Sequence, residues 1–517
     1  MSIEVRNPFT GEPLGSYQEI GADELRAVIR RARAAQPAWA ALPLAERRRH
    51  IDRLRAFLAA NADRAAAIIS ACTGKTRLEA FAFDLTPAVF SNAWYCRHAA
   101  KHLRARRLAP GTIFLANKQS TLYRRPRGVI GVISPWNYPL GIPMHEIVPA
   151  LLAGNSVVFK TAPETLPVGE FIAEAVAAAG IPADVFHHVI VDGPVCGEVM
   201  LEAGGVDKLF FTGSVRVGRW LATRAAEHFK PVSLELGGKD PMIVLDDADL
   251  DRAAHGAVWA GVQNAGQSCA GVERVYVDRR VYEPFLQELK ARVETLRLYG
   301  PARADSDLGA LTTARQVETV RSQLEEALAQ GARIFAQGRI AEPHPQLIAP
   351  TVVVDVSHAM RLMREETFGP VLGVMPFDGE DEAVRLANDS IYALTASVWS
   401  RDRRRAEAIA RRLKAGAVTI NDHLMSHGMA ETPWGGGGAS GGSRGHGEFA
   451  FEEVTEPQVI VRDRLDRLAR GYWWYPYESS TIEGLKGAID AAHGSSLARR
   501  VHGLWRFLKG ALRMLRG

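Results

Sequence analysis

Cysteine is scarce in this 517-residue chain, which has only Cys72, Cys96, Cys196 and Cys269. They stand far apart, without the paired spacing of a zinc site or a disulfide framework. No metal is therefore expected, and a reducing compartment, the cytoplasm, is the expected location. No run approaches the roughly 18 apolar residues of a spanning helix, and Met1 to Pro13 is polar where a secretory signal needs an apolar core. Acids are absent after Asp490. From Arg462 to Gly517 there are 11 Lys and Arg against 5 Asp and Glu, so the chain's net charge of +5 resides in this tail. The body has no basic excess with which to hold nucleic acid, and no such partner is expected.

What is abundant is apolar. The chain is 47% hydrophobic and long enough for two or three domains. Val129–Ile133, Ser156–Lys160, Val185–Val191 and Lys208–Thr212 read as strands that alternate with helical stretches at Val168–Ala179 and Val195–Ala203. Short connections between them predict a parallel sheet covered on both faces, hence an α/β fold. Ala22–Trp39, Ala45–Cys72 and Ala80–Leu103 read as scaffold helices, and Asn7–Glu12 as a turn between two short strands. Arg124 to Arg127 reads as a solvated turn. Trp434 to Gly442 lacks the lysine of a phosphate loop and reads as a mobile or closely packed loop.

One stretch organises the rest. Leu234–Asp240 reads as a strand entering a glycine turn, Leu250–Val262 as a helix, and Asn264–Cys269 as the return. That return could bring Cys269 back to Glu235. A thiol that attacks a carbonyl and a carboxylate that activates water are sensible partners in covalent catalysis. Taken singly, a cysteine is more often a small buried hydrophobe and a glutamate a solvated charge. Ser134-Pro135-Trp136-Asn137-Tyr138-Pro139 forms a rigid turn at a strand end, where Asn137 could offer an amide to an oxyanion or merely satisfy the turn. Lys160 ends another strand, within reach of a ribose or phosphate. Gly213 to Gly218 opens a helix whose N-terminus could face a pyrophosphate, a weak signal alone. Glu366 could bind a ribose and Phe368 could pack on a planar ring, against plain readings as a solvated acid and a core aromatic.

The motifs Ser134–Pro139, Phe211–Ser214, Leu234–Gly238, Gly266–Cys269 and Glu366–Pro370, in this order and spacing, resemble the NAD(P)-dependent aldehyde dehydrogenase family over about Asn7 to Val461. The resemblance implies a Rossmann-type cofactor domain (1–106 and 128–236), an α/β catalytic domain (237–452), a β oligomerisation arm (107–127 and 453–461) and a basic amphipathic extension (462–517). It implies Cys269 as nucleophile, Glu235 as general base, and Asn137 with the Cys269 N–H as oxyanion hole. Ser134, Trp136, Lys160, Gly213, Ser214, Gly218, Leu236, Glu366 and Phe368 would surround the cofactor. The family's ribose glutamate stands third after the lysine. Here Glu164 is fourth, and its carboxylate would disfavour a 2′-phosphate, so NAD is expected, with NADP as the alternative. Tyr392-Ala393-Leu394 and Gly438 also depart from the family pattern.

A homodimer or homotetramer acting on an aldehyde is implied. Relatives that release the acyl group to coenzyme A generally do without the base, so Glu235 favours hydrolysis to the acid. Tyr138, Leu140, Ile142 and Met144 are expected to line an apolar acyl tunnel. His145 stands where succinic-semialdehyde enzymes commonly carry an arginine. An aliphatic or aromatic aldehyde is therefore expected, with a semialdehyde, or a non-catalytic binding role, as the alternative. In the tail, Tyr472–Tyr477 is aromatic. Leu497, Val501, Leu504, Trp505, Leu508, Ala511, Leu512 and Leu515 share one helical face, largely opposite Arg499, Arg500, Arg506, Lys509, Arg513 and Arg516. Such a helix seats either in an anionic membrane interface or on a neighbouring subunit.

Overall fold

Short apolar runs rich in Val, Ile and Phe, each followed by a turn and usually a helix, build two largely parallel sheets. In the computed structural model described here, residues 2–298, 306–468, 471, 474–475 and 479–514 are described. They fall into two units, Met1–His102 with Pro126–Glu456, and Leu103–Arg125 with Pro457–Gly517.

The first unit holds both large sheets. The five-stranded sheet runs in the order Phe186–His188, Ser156–Lys160, Val129–Ile133, Lys208–Thr212, Val232–Glu235, all parallel. The chain starts at the central strand, winds to one side and then to the other. Its switch point therefore lies where Ile133 and Thr212 end, the place where open α/β sheets bind ligands. The seven-stranded sheet runs Arg333–Gln337, Thr351–Val354, Val371–Phe377, Val272–Asp278, Asp240–Val244, Thr395–Trp399, Ala417–Ile420, with only the first pair antiparallel. Alternate residues of its strands feed two cores. Met242, Val244, Val275 and Val277 enter one, and Ile243, Leu245 and Tyr276 the other, as expected for a sheet buried on both faces.

Three expectations need correcting. The chain does not return to one sheet between Glu235 and Cys269: Val232–Glu235 is an edge of the first sheet, whereas Asp240–Val244 is central to the second. The stretch Ala45–Cys72 is two helices, Leu44–Ala60 and Ala62–Thr73. The break is at Asn61, whose side-chain amide donates to the Phe57 carbonyl at 2.9 Å and competes with helical pairing. Arg124 and Arg125 are not in a turn but in the strand Lys118–Pro126, the middle strand of a three-stranded sheet. The glycine loop after Trp434 is of the closely packed kind. A Cβ on Gly441 would lie 1.9 Å from the Leu234 carbonyl oxygen, and one on Gly435 2.2 Å from that of Ser443.

The second unit is a three-stranded sheet, Thr455–Asp463, Lys118–Pro126, Arg106–Leu108, with a helical hairpin, Ser479–His493 and Leu497–Met514. Thr455–Asp463 is an edge strand that leaves Val459, Ile460 and Val461 about half exposed. The helices cross at glycines: a Cβ on Gly487 would lie 2.6 Å from the Gly503 carbonyl oxygen. Part of the expected basic face is already answered, because Arg499 pairs with Asp490 at 2.8 Å and Arg506 with Glu483 and Asp490. The apolar face from Leu497 through Val501, Leu504, Trp505 and Leu508 to Leu512 is exposed. Of the tail residues singled out above, Tyr472, Trp473, Pro476, Tyr477, Leu515 and Arg516, together with the side chain of Arg513, lie outside the described residues.

Candidate active site

Glu235 ends its strand beside Thr212, and its carbonyl accepts the Gly213 N–H at 3.0 Å. Cys269 follows the helix Leu250–Val262 through a tight turn in which Asn264 and Ala265 both hold φ of 53°, a left-handed conformation that costs energy for residues other than glycine. The loops carrying Glu235 and Cys269 touch. A Cβ on Gly238 would lie 2.1 Å from the Cys269 carbonyl oxygen, so only glycine fits there. Both Glu235 and Cys269 line one small chamber. Asn137 is buried beside them, its side-chain amide donating to the Gln267 carbonyl at 3.1 Å.

Burial pushes the Cys269 thiol above its ordinary range, and the charges of Glu366, Asp240 and Glu235 push it further. Burial likewise raises Glu235 to about 8, with Arg444 and Trp434 pulling the other way. Trp434 is near enough to act on this group, yet neither carboxylate oxygen of Glu235 is in a well-formed hydrogen bond. A half-buried thiol among acids does not ionise unaided, so attack requires a base or a positive charge brought next to it.

The support beneath Asn137 comes from the supposed scaffold. Lys75 is fully buried, pairs with Asp84 at 2.8 Å and donates to the Asn137 carbonyl at 2.6 Å. Asp84 also accepts the N–H groups of Leu140 and Gly141, each at 3.1 Å. Glu79 accepts the Asn264 N–H at 2.6 Å, which ties down the strained turn before Cys269. Asp84 faces inward from a π-helical segment, Ala80–Leu85, where the sequence predicted regular helix. A wide turn of this kind is common near functional sites. The one local signal of these three residues is the Thr76–Glu79 capping box.

The residues expected around a dinucleotide fall into three groups. Glu366 accepts the Gly238 N–H at 3.0 Å, and Phe368, held at φ of 51°, meets Trp136 edge-to-face at 5.5 Å. Buried Glu273 holds this turn through the N–H groups of Thr367 and Phe368, at 2.8 and 3.0 Å. Ser214 caps the helix Val215–Glu227, and Gly218 packs against the Leu236 side chain, where a Cβ would lie 2.5 Å from a Leu236 methyl. Lys160 and Glu164 lie at and just after the end of Ser156–Lys160, with two strands between it and Val232–Glu235 in the sheet order. Lys160 donates to the Thr161 carbonyl at 3.1 Å, and burial raises Glu164 above the usual carboxylate range. The hydroxyl of Ser134, at the sheet's switch point, is buried without a partner. An orphaned hydroxyl at the switch point, a capped helix N-terminus and an aromatic pair are groups that suit a dinucleotide's hydroxyls, phosphates and ring. Among the described residues no cluster of His, Cys, Asp or Glu could hold a metal ion.

Two cavities meet at Cys269. The larger, of about 310 Å³, is walled by Phe83, Phe90, Tyr138, Trp259 and Leu424 and, among the described residues, has no Asp, Glu, Lys or Arg in its wall. Of the expected tunnel residues, Tyr138 and Ile142 line it. Leu140 and Met144 are fully buried elsewhere, and His145 faces the other cavity. The helix Gly141–Ala153 is apolar nearly all round, so its periodicity does not reveal which residues face the site. The smaller cavity, of about 50 Å³, carries the charged and titratable groups, with Glu146, Glu235, Glu453, Arg444, His145 and His446 in its wall.

Residues 1–460 match the model of the aldehyde dehydrogenase family. The chain is 38% identical to the 4,4'-diapolycopene aldehyde oxidase of Methylomonas sp, over 95% of this chain and 92% of that protein. It is 37% identical to a putative NADP-dependent succinate-semialdehyde dehydrogenase of Mycolicibacterium smegmatis, over 90% and 89%. A crystal structure of a putative aldehyde dehydrogenase from Burkholderia cenocepacia superposes with a TM-score of 0.85 at 38% identity, covering 90% of this chain and 97% of that one.

Proposed function

The chain belongs to the aldehyde dehydrogenase family, and from that premise we propose that it oxidises an apolar aliphatic or aromatic aldehyde to the carboxylic acid with NAD, NADP being the alternative. The observation that carries the reading is the meeting, at a single thiol, of an uncharged tunnel and a chamber with acids and histidines in its wall. Relatives named for diapolycopene aldehyde and for succinate semialdehyde are about equally similar, so identity does not choose between substrates. The tunnel does. A distal carboxylate would enter a wall without a cation, and burial holds His427, at the junction, down to about 4 and hence neutral.

In this reading the Cys269 sulfur attacks the aldehyde carbon, and the Asn137 amide and the Cys269 N–H hold the developing oxyanion. The bound nicotinamide supplies a hydride acceptor, and a thioester is left on Cys269. Glu235 then takes a proton from water as the water oxygen bonds to the thioester carbon. The carbon–sulfur bond breaks and the acid leaves. Ser134, Trp136, Gly213, Ser214, Gly218, Leu236, Glu366 and Phe368 hold the cofactor, with Lys160 and Glu164 at its ribose. A panel of aldehydes of varied length and charge, assayed with each cofactor, tests the reading. Preference for succinic semialdehyde over apolar aldehydes would reverse the assignment of substrate.

We further propose that the exposed stripe of Leu497–Met514 seats in an anionic lipid interface. Trp505, with Lys509 over its ring at 4.7 Å, has the mixed apolar and cationic character of interfacial residues. The exposed edge Thr455–Asp463 pairs with a second copy in a homodimer or homotetramer, since an unpaired apolar edge is a template for association. Co-sedimentation with anionic vesicles, with and without residues 497–517, tests the first. Binding that survives the truncation would reject it. Light scattering tests the second, and a monomeric mass would reject it.

A further inference from the structure

The proposed reaction creates a problem that Cys269 and Glu235 do not solve. Oxidising an aldehyde with water to a carboxylate, with a hydride passed to the cofactor, releases two protons per turnover inside the protein. The smaller chamber has the parts of an exit. Facing it are buried polar atoms without partners: both carboxylate oxygens of Glu235, Oε2 of Glu146, Nε2 of His145, Nδ1 of His446 and Oγ1 of Thr212. Native proteins answer such atoms with ordered water, and a cavity of about 50 Å³ has room for about three.

Glu146 lines the same chamber as Glu235 and Glu453, and it feels the charges of both Glu235 and buried Lys208. Lys208 pairs with Glu453, which accepts the Ser233 hydroxyl at 2.6 Å and whose side chain is 25% exposed. His145 stacks on His446 at 4.0 Å and shares a hydrogen bond of 3.0 Å with the Tyr95 hydroxyl. Burial holds both imidazoles well below their ordinary range, so they orient water without trapping a proton.

Resting on the aldehyde-oxidising reading, we propose that chamber waters join Glu235 to Glu146, and that Glu146 moves the proton of the attacking water on towards Glu453 and solvent. Glu235 gives its O–H proton to a chamber water as that water gives one of its own to Glu146. Glu146, protonated at rest, releases its earlier proton outward. The net result is one proton carried, Glu235 ionised again, and no change in oxidation state. Glu146 is thus a positioning residue that acts through Glu235.

The test uses the full chain with Glu146→Gln and Glu146→Asp. The activated ester 4-nitrophenyl acetate acylates a thiol without cofactor, so the release of nitrophenolate separates acylation from deacylation. Glu146→Gln is expected to keep the fast release of one equivalent and to lose about ten- to a hundredfold in the steady state, at unchanged KM. Glu146→Asp is expected to recover most of that loss. A steady state within about twofold of wild type for Glu146→Gln overturns the proposal. So does a parallel fall of burst and steady state in both variants, which marks a structural role. A wild-type chain that neither releases nitrophenolate nor oxidises any aldehyde would instead overturn the underlying reading.

Discussion

The two cavities at Cys269 share Ile142, His427 and Trp434 in their walls, yet one is about 310 Å³ and uncharged while the other is about 50 Å³ and rich in acids and histidines. The division matches what a thioester mechanism needs. An apolar acyl chain gains by leaving water, at roughly 25 cal/mol per Å² of apolar surface. The hydrolytic half needs water, a base and a proton route, none of which suits an apolar wall. A neutral histidine and an indole between the two keep the chemistries apart while one sulfur serves both.

Removing the shared atom should break the comparison outright. Cys269→Ala is expected to lose about a thousandfold or more in aldehyde oxidation, read as cofactor reduction, while binding of the cofactor, followed by its fluorescence, persists. Next in size is the common support of both cavities. Lys75→Met leaves Asp84 buried without its cation and should cost about 3–5 kcal/mol in urea unfolding, with tunnel and oxyanion loop disturbed together. Glu235→Gln affects only the polar side. It should keep a burst of one equivalent of reduced cofactor and slow the steady state about a hundredfold.

The pH dependence sharpens the same point. Glu235 acts when ionised and is raised to about 8. The deacylation rate should therefore climb about tenfold per pH unit below that value and flatten above it, a limb that Glu235→Gln removes. The smallest effect belongs to the apolar side. Trp259→Ala strips a tunnel wall that packs near Phe83 at 6.1 Å. It should raise KM for long apolar aldehydes about five- to tenfold and leave a short aldehyde and the nitrophenyl ester nearly unchanged.

Much of this arrangement is written locally. Strands such as Val129–Ile133 and Lys208–Thr212 announce themselves by apolar β-branched and aromatic runs between turns, and the glycines at 213, 218 and 238 mark close approaches. What stays hidden depends on contacts between distant residues. Lys75 reaches Asn137 across 62 positions, and Glu79 reaches Asn264 across 185. No periodicity reports such pairs. Glu146 is a single acid on a helix that is apolar nearly all round, so neither its inward aim nor the misplacement of His145 in the tunnel could be read from spacing. The jump from one sheet to another within Glu235–Asp240 likewise leaves no trace in a glycine turn.

The most direct test of the division at Cys269 is peptide mass mapping of the Glu235→Gln chain after brief exposure to a long-chain aldehyde and NAD. The expected result is one acyl group, carried on the peptide containing Cys269, with one equivalent of reduced cofactor. An unmodified Cys269 peptide, or an acyl group on Cys72, Cys96 or Cys196 instead, would contradict it.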